Sequence, residues 1–230
     1  MRVLITSGGT TEKIDQVRGI TNFASGKLGA RLAEKYLSEG HEVTLLAGLH
    51  AVIPDPDDNL KIISISDTES LKKAVEDELT KNDVFIHSMA VSDYSPVYMT
   101  DLDQAVNQDL KEFLNYKNTE KKISSSADYQ VLLLKKNPKI ISMIKTINPK
   151  IILVGFKLLV DVSKEELFSV AWASLQKNKA DFILANDLEN ITDESHLAYL
   201  LDESGGYTQA KNKEEIANLI YNKTKEKYDG

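Results

Sequence analysis

Cysteine is absent from this chain of 230 residues. That excludes a disulfide framework, a thiolate metal cluster and a cysteine nucleophile, and it gives no support to an oxidising compartment. Long hydrophobic runs are also missing. The apolar stretch in "MRVLITSGG" gives way at once to polar, glycine-rich sequence, too short for a signal h-region or a membrane span, so a cytoplasmic protein with no membrane partner is expected. There is no excess of basic residues: the net charge of -7 argues against a general nucleic-acid surface while leaving room for a local basic pocket. The four histidines, His41, His50, His87 and His196, show no H-x-x-x-H or clustered ligand spacing, and no metal ligands can be named from the sequence. Internal repeats and low-complexity tracts are lacking as well.

What is present is an alternation. Apolar, β-branched runs recur as "RVLIT" at 2-6, "EVTLLA" at 42-47, "LKIISI" at 60-65, "DVFIHSM" at 83-89, "KIILVGF" at 150-156 and "DFILAND" at 181-187. Near-continuous runs of this kind suit strands buried on both faces. Segments of helical period lie between them. In "GARLAEKYLSEG" at 29-40, Leu32, Ala33, Tyr36 and Leu37 share a face and Gly40 supplies the stop. In "DTESLKKAVEDEL" at 67-79, Asp67 is the N-cap candidate and Leu71, Ala74, Val75 and Leu79 form the apolar face. The pattern predicts an α/β, Rossmann-like, doubly wound and mostly parallel sheet. Its binding cleft should lie at the carboxyl ends of the strands, at the switch point between the first and fourth. With 42% hydrophobic residues, one domain over 1-230 is expected. Residues 93-136 are too long for an ordinary loop and read as an excursion or flap, and Gly205-Gly206 marks a C-terminal hairpin followed by a helix.

The first turn carries the strongest local chemistry. Ser7, Gly8, Gly9 and Thr10 follow the first strand, where backbone N-H groups can approach a ligand. The dinucleotide fingerprint does not fit, because Gly8 and Gly9 are adjacent and the helix waits until about Ser25. The phosphate loop fails too: Thr21 stands where its first glycine belongs and Leu28 replaces the metal-binding hydroxyl. What remains is a helix opened by Ser25 and Gly26, whose free N-H groups and dipole suit a phosphate monoester, with Arg18 and Asn22 just upstream. A plainer reading makes Ser25 a helix cap and gives Asn22 a left-handed turn conformation. Trp172, on an amphipathic segment, reads as core or interface.

The ordered set "GGTTEKIDQVRGITNFASGKLG", "SMAVSDY", "KKISSS", "NPKII", "GFK" and "ADFILAND", spread over about residues 1-190, resembles the phosphopantothenate-cysteine ligase family. The chain begins at that ligase's first strand and resembles the stand-alone bacterial form. The resemblance implies a reaction of coenzyme A biosynthesis: 4'-phosphopantothenate, L-cysteine and a nucleoside triphosphate react through an acyl-nucleotidylate to give phosphopantothenoylcysteine, nucleoside monophosphate and pyrophosphate. It further implies Mg2+ or Mn2+ with the nucleotide, and a homodimer with small-molecule substrates. By the same resemblance, Asn22 holds the carbonyl of the acyl intermediate and Lys122, on the flap, follows the reacting phosphates. Arg18, Ser25, Gly26 and Lys27 meet the substrate phosphate. Gly8, Gly9, Thr10, His87, Ser88, Met89, Asp93, Lys122, Pro138, Lys139, Ile140, Ile141 and Phe156 meet the nucleotide, with Phe156 against the base.

This chain departs from the bacterial pattern at several points. Ser124 replaces a second flap lysine, Lys157 stands where an acidic residue follows "GF", and Ser174 and Asn178 replace two lysines ahead of "AND", with Lys177 and Lys179 as neighbouring candidates. "KISSS" and "FKL" lean toward eukaryotic relatives, which resemble ATP users, whereas "ADFILAND" and the first turn look bacterial and favour CTP. The altered lysines leave an alternative, a nucleotide- or phosphate-binding sensor without chemistry. A Rossmann-type reductase is a third reading.

Overall fold

The computed structural model describes residues 1-116, 121-192 and 195-230. In chain order the elements are β1 (Arg2–Ser7), β2 (Thr11–Lys13), β3 (Gly19–Thr21), α1 (Lys27–Ser38), β4 (Glu42–Gly48), β5 (Leu60–Ile65), α2 (Thr68–Glu78) and β6 (Val84–His87). There follow β7 (Tyr94–Asp101), α3 (Leu102–Asn107), β8 (Gln130–Lys136), α4 (Ile144–Ile147), β9 (Ile152–Leu159), α5 (Lys164–Asn178), β10 (Phe182–Ile191), β11 (His196–Asp202), β12 (Tyr207–Ala210) and α6 (Lys213–Asp229). One sheet runs in the order β12-β11-β10-β9-β6-β1-β4-β5. Its six strands from β10 to β5 pair in parallel, while β11 and β12 are antiparallel. The chain therefore reverses direction across the sheet between β1 and β6, the switch point expected from the strand runs.

The apolar runs of the inner strands are buried because helices cover both faces, while edge strand β5 buries only Ile65. Val3, Ile5, Val43 and Val154 pack under Leu32, Ala33 and Tyr36 of α1 and Ile216 and Ile220 of α6. Leu4, Leu46, Phe85 and Ile183 pack under Leu71 and Val75 of α2, Ile144 of α4 and Ala171 and Leu175 of α5. Successive strand residues thus feed opposite layers, as a period of two requires. At α2 the sequence signal is realised in full. Asp67 Oδ1 accepts from Ser70 N at 2.8 Å and Ser70 Oγ accepts from Asp67 N at 3.0 Å, a reciprocal cap contributing about 1 kcal/mol.

Two local expectations at the first turn are corrected. The cap of α1 is Gly26 rather than Ser25: Gly26 has φ +74°, a left-handed conformation that a side chain disfavours, and Ser25 Oγ reaches only Lys27 N at 3.5 Å. Asn22 does not take a left-handed conformation; among the described non-glycine residues Asp161 and Lys179 do. The excursion is not an unstructured loop at its base, for β7 and β8 form a separate antiparallel ribbon with a bulge between Pro96 and Tyr98. A proline lacks the N-H that a regular ladder needs, so it sits where the ladder is broken.

Candidate active site

Two adjoining cavities open at the carboxyl edge of the inner parallel strands. The first, of about 570 Å³, opens between the end of β6, the segment after β8, β9 and α5. It gathers His87, Met89, Asp93, Pro138, Lys139, Ile140, Ile141 and Phe156, eight of the residues expected at the nucleotide. Ser174, Lys177 and Asn178 of α5 line it too, together with Lys136 and Lys157. Four lysines and one aspartate give this chamber the local positive character that the acidic chain as a whole lacks. Asp93 and Lys139 form an ion pair at its mouth, both more than half exposed. The two segments carrying them are tied together: Asn137 N donates to Asp93 O at 2.8 Å and Asn137 Nδ2 to Ser92 O at 2.9 Å.

The second cavity, of about 670 Å³, lies between the N-terminus of α1, β6, β9 and β10. Ser25, Gly26 and Lys27 line it with Gly8, Ser88, Met89 and Phe156. Glycine at 29 sets α1 close to β1, since a Cβ there would lie 2.2 Å from Ser7 Oγ and 2.5 Å from Ser7 Cβ. Gly26, Lys27, Leu28 and Gly29, at the start of α1 where N-H groups lack partners within the helix, line the chamber, an arrangement suited to an anion. Met89, Phe156 and Lys157 border both cavities.

The turn from β6 into the site is built by Thr6. Its hydroxyl meets His87 Nδ1 at 2.9 Å and accepts from Met89 N at 3.1 Å, and its carbonyl accepts from Ser88 Oγ at 2.5 Å. Burial lowers the His87 pKa to about 4, so the ring is neutral and stacks on Phe85.

Other expected residues lie outside both chambers. Thr10 is fully buried and bonds through its hydroxyl to Ser92, while Gly9 bridges to Ala90; both pin the first turn to the segment after β6. Asn22 is exposed on the rim, its Nδ2 donating to Ala90 O at 3.3 Å, and Ala90 lines the second cavity. Arg18 pairs with Asp15 at 2.6 Å and donates to Ile123 O at 2.9 Å. Lys122 is exposed and borders neither cavity.

The sequence reading missed Phe23, Asn186, His196 and Lys213, all in the wall of the second cavity. Asn186 was within reach, as it sits in "AND" toward the carboxyl end of a parallel strand. His196 and Lys213 were not. β11 runs antiparallel to β10, so its first residue arrives at the same edge of the sheet where parallel strands end, and only the topology shows this. His196 is buried with its pKa lowered to about 4, first by burial and then by Lys213, and its Nε2 lies 3.1 Å from Asn186 Nδ2. Among the described residues no cluster of three or more histidine, aspartate or glutamate side chains stands ready for a metal ion.

Residues 1–228 match the family model described as the DNA/pantothenate metabolism flavoprotein C-terminal domain. A crystal structure of the DNA/pantothenate metabolism flavoprotein from Streptococcus pneumoniae has a TM-score of 0.93 to this chain at 47% identity, covering 98% of each. The C-terminal domain of coenzyme A biosynthesis bifunctional protein CoaBC gives a TM-score of 0.74 at 25% identity, covering 100% of this chain and 96% of that one. The CoaBC protein of Thermococcus kodakarensis is 33% identical over 202 residues, which cover 87% of this chain and 44% of that protein. The chain thus spans about half the length of the curated relatives it matches. By a match over nearly its whole length, the chain belongs to the family of the DNA/pantothenate metabolism flavoprotein C-terminal domain.

Proposed function

We propose that this chain is a phosphopantothenate-cysteine ligase of coenzyme A biosynthesis. The observation that carries the reading is the shared wall: two chambers of ligand size meet along Met89, Phe156 and Lys157, one cationic and the other headed by a helix N-terminus. A nucleoside triphosphate lies in the first, its base toward Phe156 and α5. The monoester of 4'-phosphopantothenate lies in the second, on Ser25, Gly26 and Lys27, and its carboxylate points to the shared wall.

A carboxylate does not acylate an amine unaided. One of its oxygens attacks the α-phosphorus, and the bond to the bridging oxygen breaks to release pyrophosphate. The amine of cysteine then attacks the acyl carbon, giving up a proton, and the C-O bond breaks to release nucleoside monophosphate. Asn22 on the rim offers a neutral amide donor to the oxyanion that develops in the second step. Lys122, on a flexible stem, follows charge as it moves from α-phosphate to pyrophosphate. Lys157, at the junction, is placed to offset the same charge. Asp93, paired with Lys139 and with no second carboxylate among the described residues lining the cavity, would on leaving that lysine offer the one carboxylate that Mg2+ takes alongside phosphate and water. Such a cation supplies charge neutralisation on the phosphates.

CTP is read ahead of ATP from the bacterial character of the first turn and "ADFILAND". A homodimer is supported by apolar side chains left exposed near the site: Phe23 is fully exposed, and Leu49, Val52 and Ile53 are about half exposed. No helix among the described residues is long and apolar enough to cross a membrane.

Pyrophosphate release tests the reading. It should require triphosphate and 4'-phosphopantothenate together, and cysteine should convert the intermediate to product. Binding of both ligands without release would favour the sensor instead, a reading that Ser174 and Asn178 in the cationic chamber keep in view. A direct comparison of CTP with ATP at matched concentration decides the base.

A further inference from the structure

The tip of the β2–β3 hairpin grips a segment more than a hundred residues away. Asp15 divides its two carboxylate oxygens between two tasks. Oδ1 accepts from Val17 N at 2.9 Å and Arg18 N at 2.8 Å, which closes the local turn. Oδ2 accepts from Arg18 Nε at 3.0 Å, from Arg18 Nη2 at 2.6 Å and from Ile123 N at 3.2 Å. Arg18 Nη2 also donates to Ile123 O at 2.9 Å, so one ion pair holds both polar groups of the Ile123 backbone. Gln16 N donates to Lys121 O at 3.1 Å. Lys122 is therefore fastened on both sides while its own side chain stays exposed. The Asp15 carboxylate is fully enclosed and the Ile123 side chain is buried.

Fixing a loop's backbone costs conformational entropy, and a polar loop offers little apolar burial in return. Hydrogen bonds to ionised groups are the strong ones, and here six of them gather on the Asp15 and Arg18 side chains, two of them reaching the Ile123 backbone. We propose that Asp15 and Arg18 form a latch that sets the register of the loop bearing Lys122, acting as positioning residues for the reaction. The effect on turnover rests on the reading of Lys122 given above; the latch itself does not.

Asp15→Asn separates the two tasks. Asparagine keeps an oxygen for Val17 and Arg18, so the turn persists, but places an NH2 against the Ile123 N-H and the guanidinium. Amide hydrogen exchange on the full chain should rise at least ten-fold at Ile123 and Gln16 while Val17 and Arg18 remain protected. Turnover should fall at least ten-fold with the KM for triphosphate within about two-fold, and Asp15→Asn combined with Lys122→Gln should be no slower than Lys122→Gln alone. Arg18→Lys, which keeps the charge and loses the second reach to Ile123 O, should loosen Ile123 in the same way. Unchanged exchange at Ile123 in both variants overturns the latch, and so does a slow Lys122→Gln enzyme beside a fast Asp15→Asn one. Raised exchange with a silent Lys122→Gln would remove that lysine from the proposed mechanism and leave the latch standing.

Discussion

Asn178 donates its side-chain amide to the carbonyl oxygen of Ser174, one turn back along α5, at 2.8 Å, and to the Ser174 hydroxyl at 3.3 Å. A carbonyl can only accept, so the NH2 end is committed to the helix, and the amide oxygen is the end left for the cationic chamber that Asn178 lines. If the base lies at α5 as proposed, that oxygen would accept from an exocyclic amine, as on cytosine or adenine, and oppose a carbonyl in its place. CTP and ATP should each be used about ten-fold or more better than UTP and GTP. Asn178→Leu should flatten the ratio. A wild-type enzyme indifferent to the four bases would show that this amide does not read the base.

Asn22→Asp should leave folding intact, because the side chain is exposed and makes one long hydrogen bond, at 3.3 Å. It replaces a donor by a charge of the same sign as the developing oxyanion. Turnover should fall about a hundred-fold or more, the scale seen when one oxyanion donor is lost. Full turnover with an unchanged melting temperature would take Asn22 out of the mechanism.

Lys122→Gln should slow turnover far more than it weakens nucleotide binding, by about ten-fold or more in kcat against less than three-fold in KM. Equal losses in both would make Lys122 a ground-state ligand.

Gly29→Ala should destabilise the fold by about 1–3 kcal/mol, as overpacking does, because the added methyl meets Ser7 Cα at 3.2 Å as well as its side chain. Relief would push α1 away from β1 and withdraw its N-terminus from the anion chamber. Denaturant unfolding reads the first effect and inorganic phosphate affinity the second.

Stability should decline as pH falls from about 6.5 to about 4. His87 and His196 are each lowered to about 4 by burial, and His41 is lowered in the same direction. Unfolded imidazoles take up protons near pH 6.5 and the folded ones do not, so over that window the unfolded state binds more protons and gains. Above 6.5 the contribution is flat. The scale is on the order of 3 kcal/mol for a histidine shifted this far. Urea unfolding across the window should show the slope, and His196→Gln should reduce it.

Most of the sheet was legible in the sequence because its inner strands are buried on both faces: "RVLIT" and "DFILAND" fall within or against β1 and β10, while "LKIISI", on the half-exposed edge strand β5, stood out by its branched side chains. Asp67 announced its helix as a cap candidate, and the structure adds Ser70 as its reciprocal partner. Met89, Asp93 and Phe156 were named through the family resemblance, and the structure gathers them in the first cavity. Less of the rest was legible. β7 and β8 pair only with each other, so no two-sided burial marks them. Arg18 looked free for a phosphate because its partners are a nearby carboxylate with no special spacing and a carbonyl at position 123. Ser25 looked like a cap because serine usually is one, but the left-handed Gly26 takes the cap and moves the helix start along by one residue.

Met89, Phe156 and Lys157 belong to both chambers, so a single inhibitor with two arms has a natural place to be joined. Each arm alone would bear the full loss of translational and rotational freedom; linked over that partition they would bear it once. Grips on Ser174 and Asn178 would then give such a compound a means of telling this protein from relatives with lysines at those places.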